Sequence, residues 1–289
     1  MPLLRNGIKL MRPTHWLKNA MVGLALFFGG RFDWESILLV LAGMAAFSAL
    51  SSAVYIFNDI CDAPGDALHE VKKMRPIASG AVSVWVGAVL SVVLFLAAVL
   101  VDILFFARWQ TLALLVGYAG LNIFYSIKGK HVPLLDVLIL SGGFMIRMFY
   151  GALLLDISIS NWLYLTTLSI SLYMALGKRR NELKKYGEEA GSVRKVLASY
   201  NAGFLDKNMY VFLTLTVLFY ALWTMHMYDL GGHGAYAIWT TPLVIVIIMR
   251  YSLLTETRIF ADPVEILLKD KPLLLMAVAY AVIMGIIVF

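Results

Sequence analysis

Residues 36–57 read SILLVLAGMAAFSALSSAVYIF, and the chain then turns polar at Asn58-Asp59-Ile60-Cys61-Asp62. No charged residue interrupts the run, and about 20 apolar residues are enough for a helix to cross the hydrocarbon core of a bilayer. The whole chain has the same character, since 61% of its 289 residues are hydrophobic and only 15% are charged. A soluble domain of this size could not cover so much apolar surface. The sequence therefore predicts a polytopic membrane protein built from helices.

Hydropathy predicts nine segments of this kind, and hence an all-α fold in which nine transmembrane helices form one bundle. We expect a single transmembrane domain over residues 1–289, because no soluble or low-complexity region separates the segments. The first segment is short for a full crossing. The segments are residues 16–30, 36–57, 84–106, 111–127, 133–155, 161–177, 209–228, 235–252 and 272–289.

The positive charges test this count. With nine spans, the N-terminus and the loop after every second span share one side of the membrane. That side receives all of the 24 Lys and Arg residues except Arg31, Arg108 and Arg147. Cytoplasmic loops carry an excess of Lys and Arg, so we expect a cytoplasmic N-terminus in the inner (cytoplasmic) membrane. The net charge of +6 is spread over several short segments, which favours attraction to anionic lipid over a nucleic-acid partner.

The acidic stretch carries a candidate metal site. Asn58 and Asp62 are four residues apart, so on a helix their side chains share one face, whereas Asp59 points about 100° away. Asp66 would continue that face, but Pro64-Gly65 predicts that the helix ends or distorts first. Oxygen ligands suit Mg²⁺, which binds few protein groups and shares its shell with water and substrate phosphates. The sequence therefore predicts that Asn58, Asp62 and Asp66 bind Mg²⁺ at a membrane surface.

Basic residues follow the acidic ones. His69, Lys72 and Arg75 recur every three residues, which places them roughly on one helical face. Lys72 and Arg75 suit the binding of phosphate, whereas His69 is interpreted as a hydrogen-bonding loop residue. Metal ligands and phosphate ligands together at a membrane surface indicate that a diphosphate-activated substrate meets a lipid there.

Arg147 lies midway through the fifth segment, where a guanidinium is costly unless it is paired or faces a wet cavity. Two interpretations remain open: Arg147 binds substrate, or it pairs with Asp136 and only locks helices together. Lys18 lies where the first segment enters the membrane, and it suits either a substrate contact or a side chain that extends to the lipid headgroups. Lys130 shares that ambiguity.

Several further motifs accompany the Asn-Asp-x-x-Asp-x-x-x-Asp pattern of residues 58–66. They are Arg12-Pro-x-x-Trp-x-Lys-Asn19, Ala53-Val-Tyr-x-x-Asn-Asp59, Lys72-x-x-Arg-Pro-Ile-Ala-x-Gly80, Tyr125-Ser-x-x-x-Lys130, Pro133-x-Leu-Asp136, Gly143-Phe-x-x-Arg147 and Gly177-Lys-Arg-Arg-x-Glu-Leu183. Over nearly the whole chain this set resembles the UbiA superfamily of intramembrane prenyltransferases, and within it the branch that transfers phosphoribosyl groups. Aromatic prenyltransferases of the superfamily usually carry a second Asp-x-x-x-Asp motif, whereas here Leu140 stands four residues after Asp136, where that motif has its second Asp.

The resemblance implies an enzyme, a pentosyltransferase with a cytoplasmic active face. It would move the 5-phosphoribosyl group of 5-phosphoribosyl 1-diphosphate to a polyprenyl (decaprenyl) phosphate for cell-envelope glycan synthesis, and release diphosphate. Asn58, Asp62 and Lys72 are the implied catalytic residues, the first two through Mg²⁺ on the donor diphosphate and Lys72 by binding that diphosphate. The implied substrate-binding residues are Lys18, Tyr55, Lys72, Arg75, Lys130 and Arg147.

Two other functions remain open. A Mg²⁺-dependent prenyltransferase of the same fold would move a prenyl chain from prenyl diphosphate to an aromatic or quinone-precursor acceptor. A transporter would use Asp136 and Arg147 as charges along a substrate path, although polar residues gathered on one face argue against alternating access. The sequence is compatible with a homo-oligomer and does not define the length of the lipid chain.

Overall fold

The computed structural model describes residues 2–67, 72–229, 232–257 and 263–288, and every regular element in these ranges is helical, as predicted. Short 3₁₀ segments connect several of the α-helices. The longest of them, Pro13–Gly23, follows α1 directly. The α-helices are α1 (Pro2–Met11), α2 (Leu24–Phe28), α3 (Trp34–Asp66), α4 (Val84–Phe105), α5 (Trp109–Ile127), α6 (Leu135–Leu155), α7 (Asn161–Tyr186), α8 (Ala190–Val193), α9 (Ala202–Asp229), α10 (Thr241–Thr257), α11 (Pro263–Lys269) and α12 (Lys271–Val288).

Seven helical stretches among the described residues are long and apolar enough to cross a membrane. They are Trp34–Asp66, Val84–Phe105, Trp109–Ile127, Leu135–Leu155, Ala202–Met227, Gly234–Thr257 and Lys271–Val288. These stretches correspond to seven of the nine predicted segments. The first predicted segment is divided between the 3₁₀ segment and the short α2. The sixth lies in α7, a long helix whose hydroxyl-bearing and basic residues make it more polar than the others.

The chain divides into two compact units. The first unit consists of residues 1–130 and 146–157, and the second of residues 131–145 and 158–289. Helix α6 contributes its N-terminal part to the second unit and its C-terminal part to the first.

The long helix α3 is the centre of the first unit, where it packs on α4, α5, the 3₁₀ segment and α1. Asp33 begins the helix by accepting a hydrogen bond of 2.9 Å from the backbone N–H of Ser36, which satisfies one of the unpaired donors of the first turn. Phe47, Leu50 and Ile56 are fully buried. A tightly packed apolar face thus fixes the position of the polar residues at the C-terminal end of α3.

The predicted end of this helix before Asp66 is wrong, because α3 continues through Pro64. Proline cannot donate a backbone hydrogen bond to the residue four positions earlier. Here that loss falls in the last turn, and the next turn still closes, since the N–H of Ala67 donates to the carbonyl of Ala63 at 3.0 Å. Asp66 therefore stays on the face that carries Asn58 and Asp62.

The second unit is built mainly on the pairing of α7 with α9. Its principal core contains Tyr173, Leu176, Leu197 and Leu205, and Val137 from the N-terminal part of α6 joins it. A smaller core forms where α10, α11 and α12 meet, around Leu254, Ile266 and Leu273.

Candidate active site

The C-terminal end of α3 brings Asn58 and Asp62 together with the end of α5. The side-chain amide of Asn58 donates to Asp62 at 2.9 Å, and its carbonyl oxygen accepts a bond of 3.0 Å from Ser126. Lys130 forms an ion pair with the other oxygen of Asp62, at 2.5 Å. Three of the predicted site residues are thus in mutual contact.

Asp66 lies one turn further along the same face and is also paired with predicted residues. Nη1 of Arg75 lies 2.6 Å from Asp66, and Nζ of Lys72 lies 4.0 Å from it. Lys72 and Arg75 therefore lie where their cations meet the acidic face. His69 lies outside the described residues.

Asp59, left aside as a metal ligand, is almost completely buried and lies between two arginines. Nη2 of Arg12 approaches its carboxylate to 2.5 Å, and Nη1 of Arg75 to 3.1 Å. Arg75 thus joins Asp59 to Asp66. No role was predicted for Arg12, although it is the first residue of the motif Arg12-Pro-x-x-Trp-x-Lys-Asn19.

Arg147 is buried among neutral groups of the first unit. Its Nε donates to Oδ1 of Asn19 at 2.8 Å, and Nη2 donates to the hydroxyl of Tyr118 at 2.8 Å. Its guanidinium also lies over the rings of Phe47 and Tyr118, 5.0 Å and 4.8 Å from their centroids. Asp136, the partner considered for Arg147, is bonded to Arg179 instead.

Tyr118 links Arg147 to two other predicted residues. Lys18 and Tyr55 both lie close enough to its phenol to interact with it electrostatically. The ring of Tyr55 also stands edge-to-face with that of His15, at a centroid separation of 5.2 Å. Lys18 and Tyr55 therefore act electrostatically on the same buried tyrosine that Arg147 contacts directly.

The 3₁₀ conformation of Pro13–Gly23 explains how Lys18 and Asn19 are placed. With three residues per turn, Trp16, Asn19 and Val22 lie in one line, and that line faces α3. The indole N–H of Trp16 donates to Ser52 at 2.9 Å, and the amide of Asn19 donates to Ser48 at 2.9 Å. The two serines are four residues apart and so lie on one face of α3.

The side chains that meet in this part of the first unit carry unequal numbers of charges. Among the described residues there are six cations and three carboxylates, which leaves an excess of three positive charges. Such an excess favours a ligand with several negative charges. The cations are Arg12, Lys18, Lys72, Arg75, Lys130 and Arg147, and the carboxylates are Asp59, Asp62 and Asp66.

The acidic face can be tested for its fit to Mg²⁺. Among the described residues, no group of three or more His, Cys, Asp or Glu side chains is arranged to hold a metal ion. Magnesium at phosphate sites needs only one or two carboxylates, because water and substrate phosphates supply its other ligands. Asn58, Asp62 and Asp66 therefore fit a Mg²⁺ ion that arrives with a diphosphate, and do not fit one held by protein alone.

Sequence reasoning missed Asn19 and Tyr118, which bind Arg147. A tyrosine in an apolar span usually packs against neighbouring helices, so Tyr118 was not predicted to be a site residue. A signal was nevertheless present, because Tyr118, Asn122 and Ser126 recur every four residues along α5 and so form a polar stripe on one face.

The second unit contains a different polar cluster. Arg179 and Asp136 are fully buried and form an ion pair of 2.5 Å, and Glu182 lies 2.7 Å from Arg179. The hydroxyl of Tyr200 donates to Asp136 at 2.6 Å. Burial and this hydrogen bond raise the pKa of Tyr200 to about 12. The cluster is internally satisfied.

Comparison with known proteins relates the chain to a protein family. The family model of the UbiA prenyltransferase family matches residues 17–262. Decaprenyl-phosphate phosphoribosyltransferase of Corynebacterium glutamicum is 33% identical over 283 residues, which cover 94% of this chain and 83% of that protein. The protein of the same name from Mycobacterium tuberculosis is 31% identical over 292 residues, which cover 98% of this chain and 94% of that protein.

Solved structures show the same fold. A UbiA homolog from Archaeoglobus fulgidus bound to DMAPP and Mg²⁺ has a TM-score of 0.75 at 15% identity, with 98% of each chain covered. The same homolog bound to GPP and Mg²⁺ has a TM-score of 0.73 at 16% identity, with 98% of this chain and 99% of that chain covered. The match to the family model and the identity to full-length relatives lead to one conclusion: the chain belongs to the UbiA prenyltransferase family.

Proposed function

We propose that the protein transfers the 5-phosphoribosyl group of 5-phosphoribosyl 1-diphosphate to a polyprenyl (decaprenyl) phosphate and releases diphosphate, in the synthesis of cell-envelope glycan precursors. Relatives named for this reaction align with nearly the whole chain. The observation that carries the proposal is the excess of cations around the acidic face of α3. A donor with a diphosphate and a further phosphate provides the negative charge to match it.

The positions of the basic residues suggest how they divide the donor between them. Lys72 and Arg75 lie beside Asp66, so they would bind the diphosphate next to the metal-binding face. Lys18, Tyr55 and Arg147 all interact with Tyr118 and would bind the remaining phosphate and the ribose. Lys130 lies at Asp62 and would complete this second group. Binding at both ends fixes C1 of the ribose for attack.

Asn58, Asp62 and Asp66 would hold Mg²⁺ on the donor diphosphate. The metal would neutralise charge on the diphosphate and so make it a better leaving group. A UbiA homolog from Archaeoglobus fulgidus has been solved bound to Mg²⁺ together with GPP or with DMAPP, which supports a metal in this fold.

The acceptor needs no general base from the protein. A phosphate monoester is already largely ionised near neutral pH, so an oxygen of the lipid phosphate can attack C1 directly. The bond from C1 to the diphosphate oxygen breaks as the bond from C1 to the lipid phosphate forms. Attack opposite the departing diphosphate converts an α donor into a β product.

The membrane arrangement completes the proposal. One transmembrane domain would span residues 1–289, with nine crossings, a cytoplasmic N-terminus and the active face toward the cytoplasm of the inner membrane. Seven crossings correspond to the apolar helices described above. The segment at 13–28 and helix α7 would supply the other two. The distribution of Lys and Arg supports this orientation.

The alternative is transfer of a prenyl chain from prenyl diphosphate to an aromatic acceptor. It shares the Mg²⁺ and diphosphate chemistry, and the fold neighbours were solved with prenyl diphosphates bound. Enzymes that catalyse that reaction usually carry a second Asp-x-x-x-Asp motif, which would begin at Asp136 in this chain. Asp136 is instead neutralised by Arg179, which favours phosphoribosyl transfer.

The test uses purified full-length protein, radiolabelled phosphoribosyl diphosphate and polyprenyl phosphate, with Mg²⁺ or EDTA. A labelled lipid that forms only with Mg²⁺ is the expected result. If no such product forms while prenyl diphosphate and an aromatic acid react, the protein is an aromatic prenyltransferase and the proposal is wrong.

A further inference from the structure

Two arginines from distant parts of the chain share one buried carboxylate. Arg12 and Arg75 both contact Oδ1 of Asp59, at 2.5 Å and 3.1 Å. Only 3% of the Asp59 side chain is exposed, compared with 22% for Arg12 and 28% for Arg75. The carboxylate therefore lies behind the two guanidinium groups, which reach the surface of the site.

Most of the hydrogen-bonding capacity of these arginines is unused by the described residues. A guanidinium carries five N–H donors. Arg12 uses Nη2 for Asp59 and lies over the ring of Tyr55, 5.3 Å from its centroid. Among the described residues, Arg75 donates through Nη1, which it shares between Asp59 and Asp66. Donors that are anchored on one side and open on the other match the oxygens of a phosphate.

A common apolar cluster positions the two segments that carry the arginines. Leu10, two residues before Arg12, and Ile77, two residues after Arg75, pack together with Ile56 of α3. Both arginines are therefore anchored on the helix that carries Asp59. Their spacing is a property of the folded first unit.

The backbone of Arg12 gives an independent indication. Its φ of 51° and ψ of 62° place it in the left-handed region, which is unfavourable for a residue with a side chain. The following residue, Pro13, disfavours a right-handed helical conformation at position 12, so α1 ends there. Glycine would satisfy this turn without strain. Strain of this kind persists at functional sites, and here it directs an arginine toward Asp59.

We propose that Arg12 and Arg75 form a two-arginine clamp, anchored on Asp59, that binds one phosphate group of a substrate. The proposal rests on the proposed phosphoribosyl transfer for the identity of the substrate. Two sources offer the same chemistry, namely the diphosphate of the donor and the monoester phosphate of the lipid acceptor. Arg12 thus becomes a substrate-binding residue and Asp59 a positioning residue.

The first experiment measures binding without turnover. Full-length protein in detergent is titrated with inorganic diphosphate in the presence of Mg²⁺, and binding is followed by thermal stabilisation. Arg12→Gly should weaken binding about tenfold or more, because it removes a charge-assisted contact, while the relaxed turn keeps the fold. Arg12→Lys keeps the charge but loses the planar guanidinium, so its affinity for diphosphate should lie between those of the unmodified protein and Arg12→Gly. Lys9→Ala removes an exposed charge from α1 and should bind as the unmodified protein does.

The second experiment assigns the source by kinetics. A raised KM for phosphoribosyl diphosphate in Arg12→Gly indicates the donor, and a raised KM for polyprenyl phosphate indicates the acceptor. Unchanged diphosphate affinity and unchanged KM values for both substrates would overturn the clamp. If the unmodified protein binds diphosphate through Arg12 but forms no labelled lipid, the clamp stands and the proposed transfer fails.

Discussion

The two units of the chain use arginine in opposite ways. In the part of the second unit that the structure describes, arginines pair with acids: Arg179 with Asp136 and Glu182, Arg180 with Asp206 and Glu256, and Arg250 with Asp270. Around the acidic face of α3 in the first unit, six described cations meet three described carboxylates, and Arg147 donates to the neutral groups of Asn19 and Tyr118. Arginines whose charge is balanced by carboxylates hold a structure together, whereas a cluster with an excess of positive charge provides binding energy for an anion.

Burial distinguishes Arg179 of the second unit from the two arginines at Asp59, but it does not divide the arginines by unit, since Arg250 is 35% exposed and Arg147 is buried. The pair between Arg179 and Asp136 is fully buried, so its desolvation cost must be offset within the protein. Arg12 and Arg75 remain partly exposed beside buried Asp59. A charge that is to meet a ligand must keep access to it.

The largest effect is expected for Asp62→Ala in the first unit. The variant loses a proposed Mg²⁺ ligand, so formation of labelled lipid should fall by about a thousandfold or more, toward the background. Membrane insertion and thermal stability should remain. Activity close to that of the unmodified protein would remove Asp62 from the metal site.

The same substitution in the second unit is the matched control. Asp206→Ala removes one of the two partners of Arg180, which keeps Glu256 at 2.6 Å. We expect turnover within about twofold of the unmodified protein, because partly exposed ion pairs contribute little. Equal losses of turnover in Asp62→Ala and Asp206→Ala would contradict the division between a catalytic first unit and a structural set of ion pairs in the second.

Asp136→Ala should reduce stability before it reduces catalysis. It removes the carboxylate 2.5 Å from buried Arg179 and leaves Glu182 as a charged neighbour at 2.7 Å. Breaking a buried pair costs about 3–5 kcal/mol, which thermal unfolding in detergent would register as a lower midpoint. The double variant Asp136→Leu/Arg179→Met should recover much of the loss, because it removes both charges. Failure to recover would indicate that this cluster has a role other than structure.

Arg147→Ala should chiefly raise the KM for phosphoribosyl diphosphate, by about tenfold to a hundredfold, because a charge-assisted contact is lost. Tyr118→Phe removes the hydroxyl that accepts from Arg147 and should raise the same KM by a smaller factor. Steady-state kinetics with donor and acceptor varied separately would measure both. Loss of folding in Arg147→Ala without a KM effect in Tyr118→Phe would show that Arg147 is structural.

The smallest effect concerns pH and Glu182. Burial opposes ionisation of this carboxyl, but Arg179 and Arg194 outweigh it and lower its pKa to about 2. Since the folded pKa lies below the ordinary value of 4.5, the ionised group stabilises the second unit above about pH 4.5. That contribution is lost as the pH falls toward 2. Glu182→Gln should flatten this part of the pH–stability curve, and an unchanged curve would contradict the ion pairs.

The sequence predicted the helices and the acidic face well, because both depend on local periodicity. Apolar runs of the length of a membrane define α3 to α6, and a spacing of four places Asn58 and Asp62 together. The break predicted at Pro64 failed because a proline in the last turn leaves the following turn intact. The division of the first segment also escaped prediction, since hydropathy does not distinguish a 3₁₀ stretch from an α-helix.

The bonding partners of the site residues were harder to predict than the helix faces on which these residues lie. Arg147 binds residues 128 and 29 positions away in sequence, and Arg12 binds a carboxylate 47 positions away. Such contacts depend on how the helices pack against one another. The spacing of residues within one helix does not reveal that packing. Motifs drew attention to Arg12 and Asn19, but only the packing gave them roles.

Gly151 of α6 shows how a position without any chemistry can control the site. A Cβ atom there would collide with the backbone carbonyl of Val22, which belongs to the 3₁₀ segment that carries Lys18 and Asn19. Backbone cannot move aside as a flexible side chain can, so even alanine would displace that segment. In a survey of loss-of-function mutations, this glycine would therefore rank with the charged residues. Whether a position tolerates substitution thus depends more on its packing against a segment that carries binding residues than on its own distance from the bound substrate.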